Sequence, residues 1–236
     1  MKFTKQQKAI LVGTILGDAY LQKTGEKNAR LRLEQGDKQK TYLFWKVKQF
    51  PKLFQGKPHY LERKHPLTGK IYRYWRHQSN STPELGKWQR LFYTDGKKHI
   101  PVSLSKLLTD TVGLAVWYMD DGYYYGRDKV SYLYLGRVKR DEAEIAKITL
   151  EKNFAILCLT LDKKQKGFVL YFPPKETIKL HKKIEKFILP LFSYKLSQKL
   201  TNLLDPVTTD PFKGESQANP GSNAVPVNIK AGEDIV

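Results

Sequence analysis

The sequence predicts an α+β fold made of two similar halves, and three observations carry that prediction. An apolar helix with an acid at its end occurs twice, over about 6–18 and about 110–121. Each is followed by the same order of strand, helix, hairpin and helix, an internal repeat of roughly 100 residues. The chain has 236 residues, 40% of them hydrophobic and 12% aromatic, which suits one large domain or two small ones and excludes global disorder.

Taken in order, Thr4 and Gln7 form a capping box ahead of the first helix. The run from Ala9 through Ile10, Leu11, Val12, Gly13, Thr14 and Ile15 to Leu16 is apolar nearly all round, which marks a buried helix. Segment 29–35 alternates Arg30, Arg32 and Glu34 against Leu31 and Leu33, the pattern of a half-buried strand. Segment 38–50 reads as a helix with Tyr42, Leu43, Trp45 and Val47 as its apolar surface. Segments 59–63 and 71–78 form a hairpin turning at 66–69, and Pro83 opens a short helix over 83–93. The pattern then restarts. Thr109 or Asp110 caps the second apolar helix, 130–135 is a strand, 140–154 an amphipathic helix, 156–161 and 167–172 a hairpin, and 174–189 a long last helix. The expected halves are 1–103 and 104–204. The remainder, 205–236, is rich in Pro, Gly, Asn and Ser, carries two lysines against five acids, and is expected to be disordered.

Charge narrows the function classes. Lys and Arg number 42 against 23 Asp and Glu, a net +19; residues 1–204 alone carry +22. Such a surplus on a folded body points to a polyanion partner, with nucleic acid the leading candidate. No apolar stretch approaches membrane-spanning length, and the polar, basic start is not a secretory signal. The lone Cys158 excludes an intrachain disulfide and a cysteine zinc cage. The expected location is intracellular, in an organelle matrix or stroma or in a bacterial cytoplasm.

The acids at the helix ends carry the chemistry. Asp18 and Asp121 sit where the helix dipole is negative, and two acids on apolar helices are costly without a counter-charge. A shared divalent cation supplies one. Gly13 and Gly17, like Gly113 and Ala115, let another backbone approach, so packing the two helices together would bring Asp18 and Asp121 into one place. Singly, each acid reads as a turn residue; in matching places of a repeat the two favour a metal site. Each half also ends in a lysine within an apolar, proline-punctuated segment, Lys98 before His99-Ile100-Pro101 and Lys195 after Pro190. Singly, these read as surface charges. Two acid–lysine pairs suit the cleavage of two antiparallel phosphodiester strands, each acid positioning metal and water, each lysine stabilising charge or assisting proton transfer.

With these residues in view, Leu11-Val12-Gly13-Thr14-Ile15-Leu16-Gly17-Asp18-Ala19 and Leu114-Ala115-Val116-Trp117-Tyr118-Met119-Asp120-Asp121-Gly122 look like two LAGLIDADG motifs. Over about residues 6–200 the chain resembles a single-chain, two-motif LAGLIDADG homing endonuclease of the subgroup typified by the yeast mitochondrial omega-intron endonuclease. The resemblance implies two pseudo-symmetric αββαββα-like halves whose curved antiparallel sheets form a DNA-binding saddle. It also implies one more strand per half than the residues alone indicate, around 19–23 and 123–126. It makes Asp18 and Asp121 the metal-binding catalytic acids, adds the backbone carbonyls of Gly17 and Asp120 as metal ligands, and puts the basic catalytic residues on Lys98 and Lys195. The implied cofactor is Mg2+, with Mn2+ as a substitute.

Strand parity then assigns a groove-facing side: Arg30, Arg32 and Glu34 in the first half, with Tyr132 and Tyr134 in the second. In 71–78 the choice is Tyr72, Tyr74, Arg76 and Gln78, which turns Arg73 inward. Arg127 and Lys129 are expected on phosphate. Two half-sites of about one helical turn give an asymmetric duplex target of roughly 20 bp for a monomer. The reading is a site-specific double-strand endonuclease, intron-encoded because Met1 is no splicing Cys or Ser. The alternatives are a group I intron RNA maturase and a non-cleaving DNA-binding regulator of the same fold.

Overall fold

The structure, a computed structural model, describes residues 2–197. Helix α1 (Lys5–Leu16) begins at the reciprocal cap the sequence predicts: the Thr4 hydroxyl accepts the Gln7 amide at 3.1 Å, and the Gln7 side chain accepts the Thr4 amide at 3.0 Å. Every residue from Ala9 to Leu16 is buried, so the helix runs through the core instead of lying on it. There follow β1 (Tyr20–Lys23), β2 (Ala29–Gly36), α2 (Lys40–Lys48), β3 (His59–Lys64), β4 (Ile71–Gln78) and α3 (Pro83–Phe92). The four strands form one antiparallel sheet in the order β1-β2-β4-β3.

A short connection, β5 (Tyr93–Thr94), β6 (Lys97–Lys98) and α4 (Leu104–Leu107), leads to α5 (Thr111–Asp121). Asp110 caps α5, accepting the Val112 amide at 3.1 Å. Then come β7 (Gly122–Tyr125), β8 (Val130–Gly136), α6 (Arg140–Phe154), β9 (Leu159–Asp162), β10 (Phe168–Phe172) and α7 (Pro174–Ile184). Their antiparallel sheet has the order β7-β8-β10-β9, the first sheet's path repeated. The four-residue strands β1 and β7 are the two that alternation alone does not reveal.

The core gathers on α1 and α5. Ile10, Leu11, Ile15, Val116, Trp117 and Tyr118 are essentially sealed, each worth about 1.5–3 kcal/mol of burial. The small residues permit this closeness: a Cβ on Gly13 would overlap the Gly113 carbonyl, and one on Gly113 would stand 2.7 Å from the Ala9 carbonyl. No helix among the described residues is long and apolar enough to cross a membrane.

Three expectations need correction. The last helix ends at Ile184, not 189, passing into 3-10 turns at Glu185–Phe187 and Pro190–Lys195, because Pro190 cannot continue a helix and disfavours one before it. The strand expected from 156 begins at Leu159. Arg73 is not turned into the core. Its face of β4 is covered only as far as Trp75, which packs on Phe44 and under the Lys40 ammonium; beyond it Arg73 is exposed and paired with Glu62 at 2.9 Å. The tail expected to be disordered, 205–236, lies outside the described residues.

Candidate active site

The ends of α1 and α5 converge, but they finish differently. Helix α1 stops at Leu16, so Asp18 lies just past its end, whereas Asp121 is the last residue of α5. Three carboxylates gather here. Asp18 is exposed, Asp121 half-buried, and the Asp120 side chain has no exposure. Burial, together with the charges of Asp18 and Asp120, pushes the Asp121 carboxyl up to about 7, against the opposing pull of Lys98 and Lys195.

Both predicted lysines reach this place. The Lys98 ammonium, presented by β6, donates to the carbonyls of Gly17 at 2.6 Å and Ile15 at 3.1 Å. The Lys195 ammonium, presented by the last 3-10 turn, donates to the carbonyls of Met119 at 2.6 Å and Asp120 at 3.3 Å. Burial lowers the pKa of both, and the surrounding acids restrain the fall. The lysines thus cap the C-terminal carbonyls of the two helices, where the dipole is negative. The Gly17 and Asp120 carbonyls expected to face metal each receive a lysine here.

Sequence reasoning missed two residues of the site. Gln35, near the end of β2 and 5% exposed, donates from Nε2 to Asp18 Oδ2 at 3.3 Å. Its signal was parity: it continues the buried set Ala29, Leu31, Leu33. Lys46 of α2 is sealed, its ammonium 2.8 Å from both Asp120 oxygens and 4.2 Å from the Tyr42 ring centroid. Its signal was helical spacing, since it shares a stripe with Tyr42 and Leu43.

Beside Asp18 opens a cleft of about 610 Å³, lined by Glu34, Gln35, Arg63, Tyr72 and Tyr74 among others. Arg30, Arg32, Glu34, Tyr72, Tyr74, Arg76 and Gln78 share one face of the first sheet, with Leu31 and Leu33 buried on the other. Glu34 organises it, accepting Arg32 at 2.6 Å and Arg76 at 3.0 Å. These arginines hold its carboxyl below the usual range against the effect of burial. On the second sheet Tyr132 and Tyr134 are half-buried, and Tyr132 adjoins Tyr123 and Tyr171 at centroid distances of 6.5 and 5.5 Å. Arg127 and Lys129 are exposed in the turn between β7 and β8, where Arg127 pairs with Asp128 at 3.1 Å.

Known proteins are similar to this chain in sequence and fold. The sequence profile described as the LAGLIDADG DNA endonuclease family matches residues 8–180. A protein of Wickerhamomyces canadensis named probable intron-encoded endonuclease 1 is 29% identical over 198 residues, 82% of this chain and 84% of that protein. A probable intron-encoded DNA endonuclease 3 of Mycosarcoma maydis is 29% identical over 138 residues, 57% of this chain and all of that one. Among solved structures, the homing endonuclease I-WcaI bound to its DNA recognition sequence superposes with a TM-score of 0.76 at 29% identity, covering 83% of this chain and 88% of that chain.

Proposed function

Because the chain belongs to the LAGLIDADG DNA endonuclease family, whose enzymes hydrolyse DNA, we propose that it breaks both strands of one asymmetric duplex site of roughly 20 bp, as a monomer and with a divalent cation, Mg2+ first among them. The carrying observation is the junction of α1 and α5. One chain brings an acid and a lysine from each half to the same place: Asp18 with Lys98, Asp121 with Lys195. Two centres within one chain suit two strands without a second copy.

The residues fit a hard cation. Carboxylate and carbonyl oxygens are the donors Mg2+ takes, and the burial and mutual repulsion that raise the Asp121 pKa are what a nearby cation offsets. Asp18, Asp121 and the carbonyls of Gly17 and Asp120 would hold it. When bound, such an ion polarises the phosphoryl oxygen and lowers the pKa of water. The chain supplies the rest. Gln35 holds the Asp18 carboxylate in place through Oδ2. The Lys98 and Lys195 ammonium groups lie beside the acids, where negative charge grows as the phosphodiester is attacked, and stabilise it there. The arginine and tyrosine faces of the two sheets bind and orient the duplex.

Incubating the full chain with a randomised duplex library and Mg2+, with chelator in a parallel reaction, tests this. The expected product is one family of asymmetric sites cut on both strands only when Mg2+ is present. Splicing of intron RNA without any DNA cleavage would replace this reading by the maturase one, and binding without cleavage by the regulator.

A further inference from the structure

The Lys46–Asp120 pair breaks the symmetry of the site. Lys46 is the seventh residue of α2, and the seventh residue of α6 is Ala146, equally buried. Asp120 stands one residue before Asp121, and the residue one before Asp18 is Gly17. One half therefore contributes a lysine and a glycine where the other contributes an alanine and an aspartate. The glycine is forced: a Cβ on Gly17 would collide with the Asp120 carboxylate. That carboxylate crosses between the halves and accepts the Asp18 amide at 3.2 Å, while Lys46 holds both its oxygens. The neighbouring amides of Gly17 and Ala19 are satisfied by the Gly13 and Thr14 carbonyls of the helix. The Asp18 amide, past the helix end, takes Asp120 instead.

We propose that Asp120 is a positioning residue: its carboxylate, neutralised by Lys46, fixes the backbone at Asp18 and thereby sets where the Asp18 carboxylate stands. The first cleavage centre then depends on a side chain of the second half, and Gly17, at the matching place, has none to return. This rests on reading Asp18 as a cleavage residue. The geometry also assigns Lys46 its part. Its ammonium stands 2.8 Å from both carboxylate oxygens and so holds the group in the orientation that presents Oδ2 to the Asp18 amide.

The test removes the buried charges together, since replacing a sealed ion pair by neutral groups is tolerated far better than breaking it. Lys46→Met with Asp120→Asn keeps an oxygen for the Asp18 amide; Lys46→Met with Asp120→Leu does not. Single-turnover cleavage is followed on each strand of a library-selected duplex, alongside DNA affinity. On the strand that Asp18→Asn slows more, the Leu variant should cut about tenfold or more slowly than the Asn variant. On the other strand, and in DNA affinity, the two double variants should agree with each other. Equal rates for the two double variants on both strands would make the pair a purely structural one and overturn the proposal. A second reading needs only the protein with Lys46→Met and Asp120→Asn together. Loss of the charge should move the Asp18 amide proton resonance upfield, and an unmoved resonance overturns the proposal as well. If wild type cuts no duplex, the endonuclease reading fails on its own, and the resonance still tests the contact.

Discussion

At the scale of single residues, groups that do chemistry should separate from groups that hold DNA. Asp18→Asn or Asp121→Asn should cut the double-strand cleavage rate by on the order of a hundredfold or more while leaving duplex affinity nearly intact, because affinity is spread over many phosphate and base contacts. Rates at saturating protein set against a binding isotherm check this. Lys98→Met and Lys195→Met should slow cleavage at saturation, by on the order of a hundredfold for a lost charge-stabilising donor. A change in affinity alone would make either lysine a phosphate clamp. His181 predicts a pH dependence of stability. Buried between Tyr118 and Ser131, it accepts the Ser197 amide on Nδ1 at 3.1 Å, so its proton sits on Nε2, 3.0 Å from the Ser131 hydroxyl. Tyr118 in turn donates to the Lys195 carbonyl at 3.0 Å, so the network anchors the segment that presents this lysine. Burial pushes the His181 pKa down to about 4. The unfolded chain takes up a proton near pH 6.5 and the native state does not. The stabilisation is therefore complete above about pH 6.5 and lost as the pH falls towards 4, about 3 kcal/mol in all. Urea unfolding at pH 7 and pH 4.5 should show this fall in wild type and a smaller one in His181→Gln.

At the scale of elements, legibility followed how local the determining physics is. The start of α1 could be read from Thr4 and Gln7, and that of α5 to within one residue, from Thr109 or Asp110, because a cap is completed within one turn; Asp110 is the one that caps. The strand β2 could be read from strict alternation of arginines and leucines. Strands β1 and β7 could not, since four residues give too short an alternation and their pairing partners lie across turns. The acids at the motif ends were legible through repetition, but Lys46 and Gln35 look like ordinary polar residues until the fold shows what they face. Asp120, read for its carbonyl, matters as much for a side chain that reaches the other half. The crossing of α1 and α5 yields an element-scale prediction. Gly13→Ala places a methyl group against the Gly113 backbone, which cannot yield as a side-chain tip could. Overpacking of this kind costs typically about 1–3 kcal/mol. Gly25→Ala, in open surroundings, serves as the control. Chemical denaturation should show the loss for Gly13→Ala alone, and a larger loss of cleavage than of DNA binding, because the crossing sets the spacing of the two acids.

At the scale of the molecule, the two sheets repeat one path with different chemistry. The face of the first carries Arg30, Arg32, Arg76 and Gln78, with Glu34 fixing two of the guanidinium groups before any partner arrives. Pre-ordered arginines suit bidentate reading of guanine and lose little freedom on binding. The face of the second is a row of tyrosines, Tyr123, Tyr132 and Tyr171, opposite one another across β7, β8 and β10 and continued by the exposed Leu159 on β9. Such a row offers apolar contact to thymine methyl groups and few bidentate donors. The two ends of the target should therefore be read by different means. Arg32→Ala should relax base preference at a guanine within one half of the selected sites, costing about 1–3 kcal/mol there. Tyr132→Ala should relax the other half, and replacing thymine by uracil in that half should weaken binding of wild type more than of Tyr132→Ala. Both variants should keep nearly the wild-type dependence on salt, because the surplus charge of residues 1–204 acts on phosphates and is left in place apart from one arginine. Selected cleavage sites from each variant, compared position by position with wild type, decide the matter. Relaxation of the same half by both substitutions would mean that the sheets do not divide the target between them.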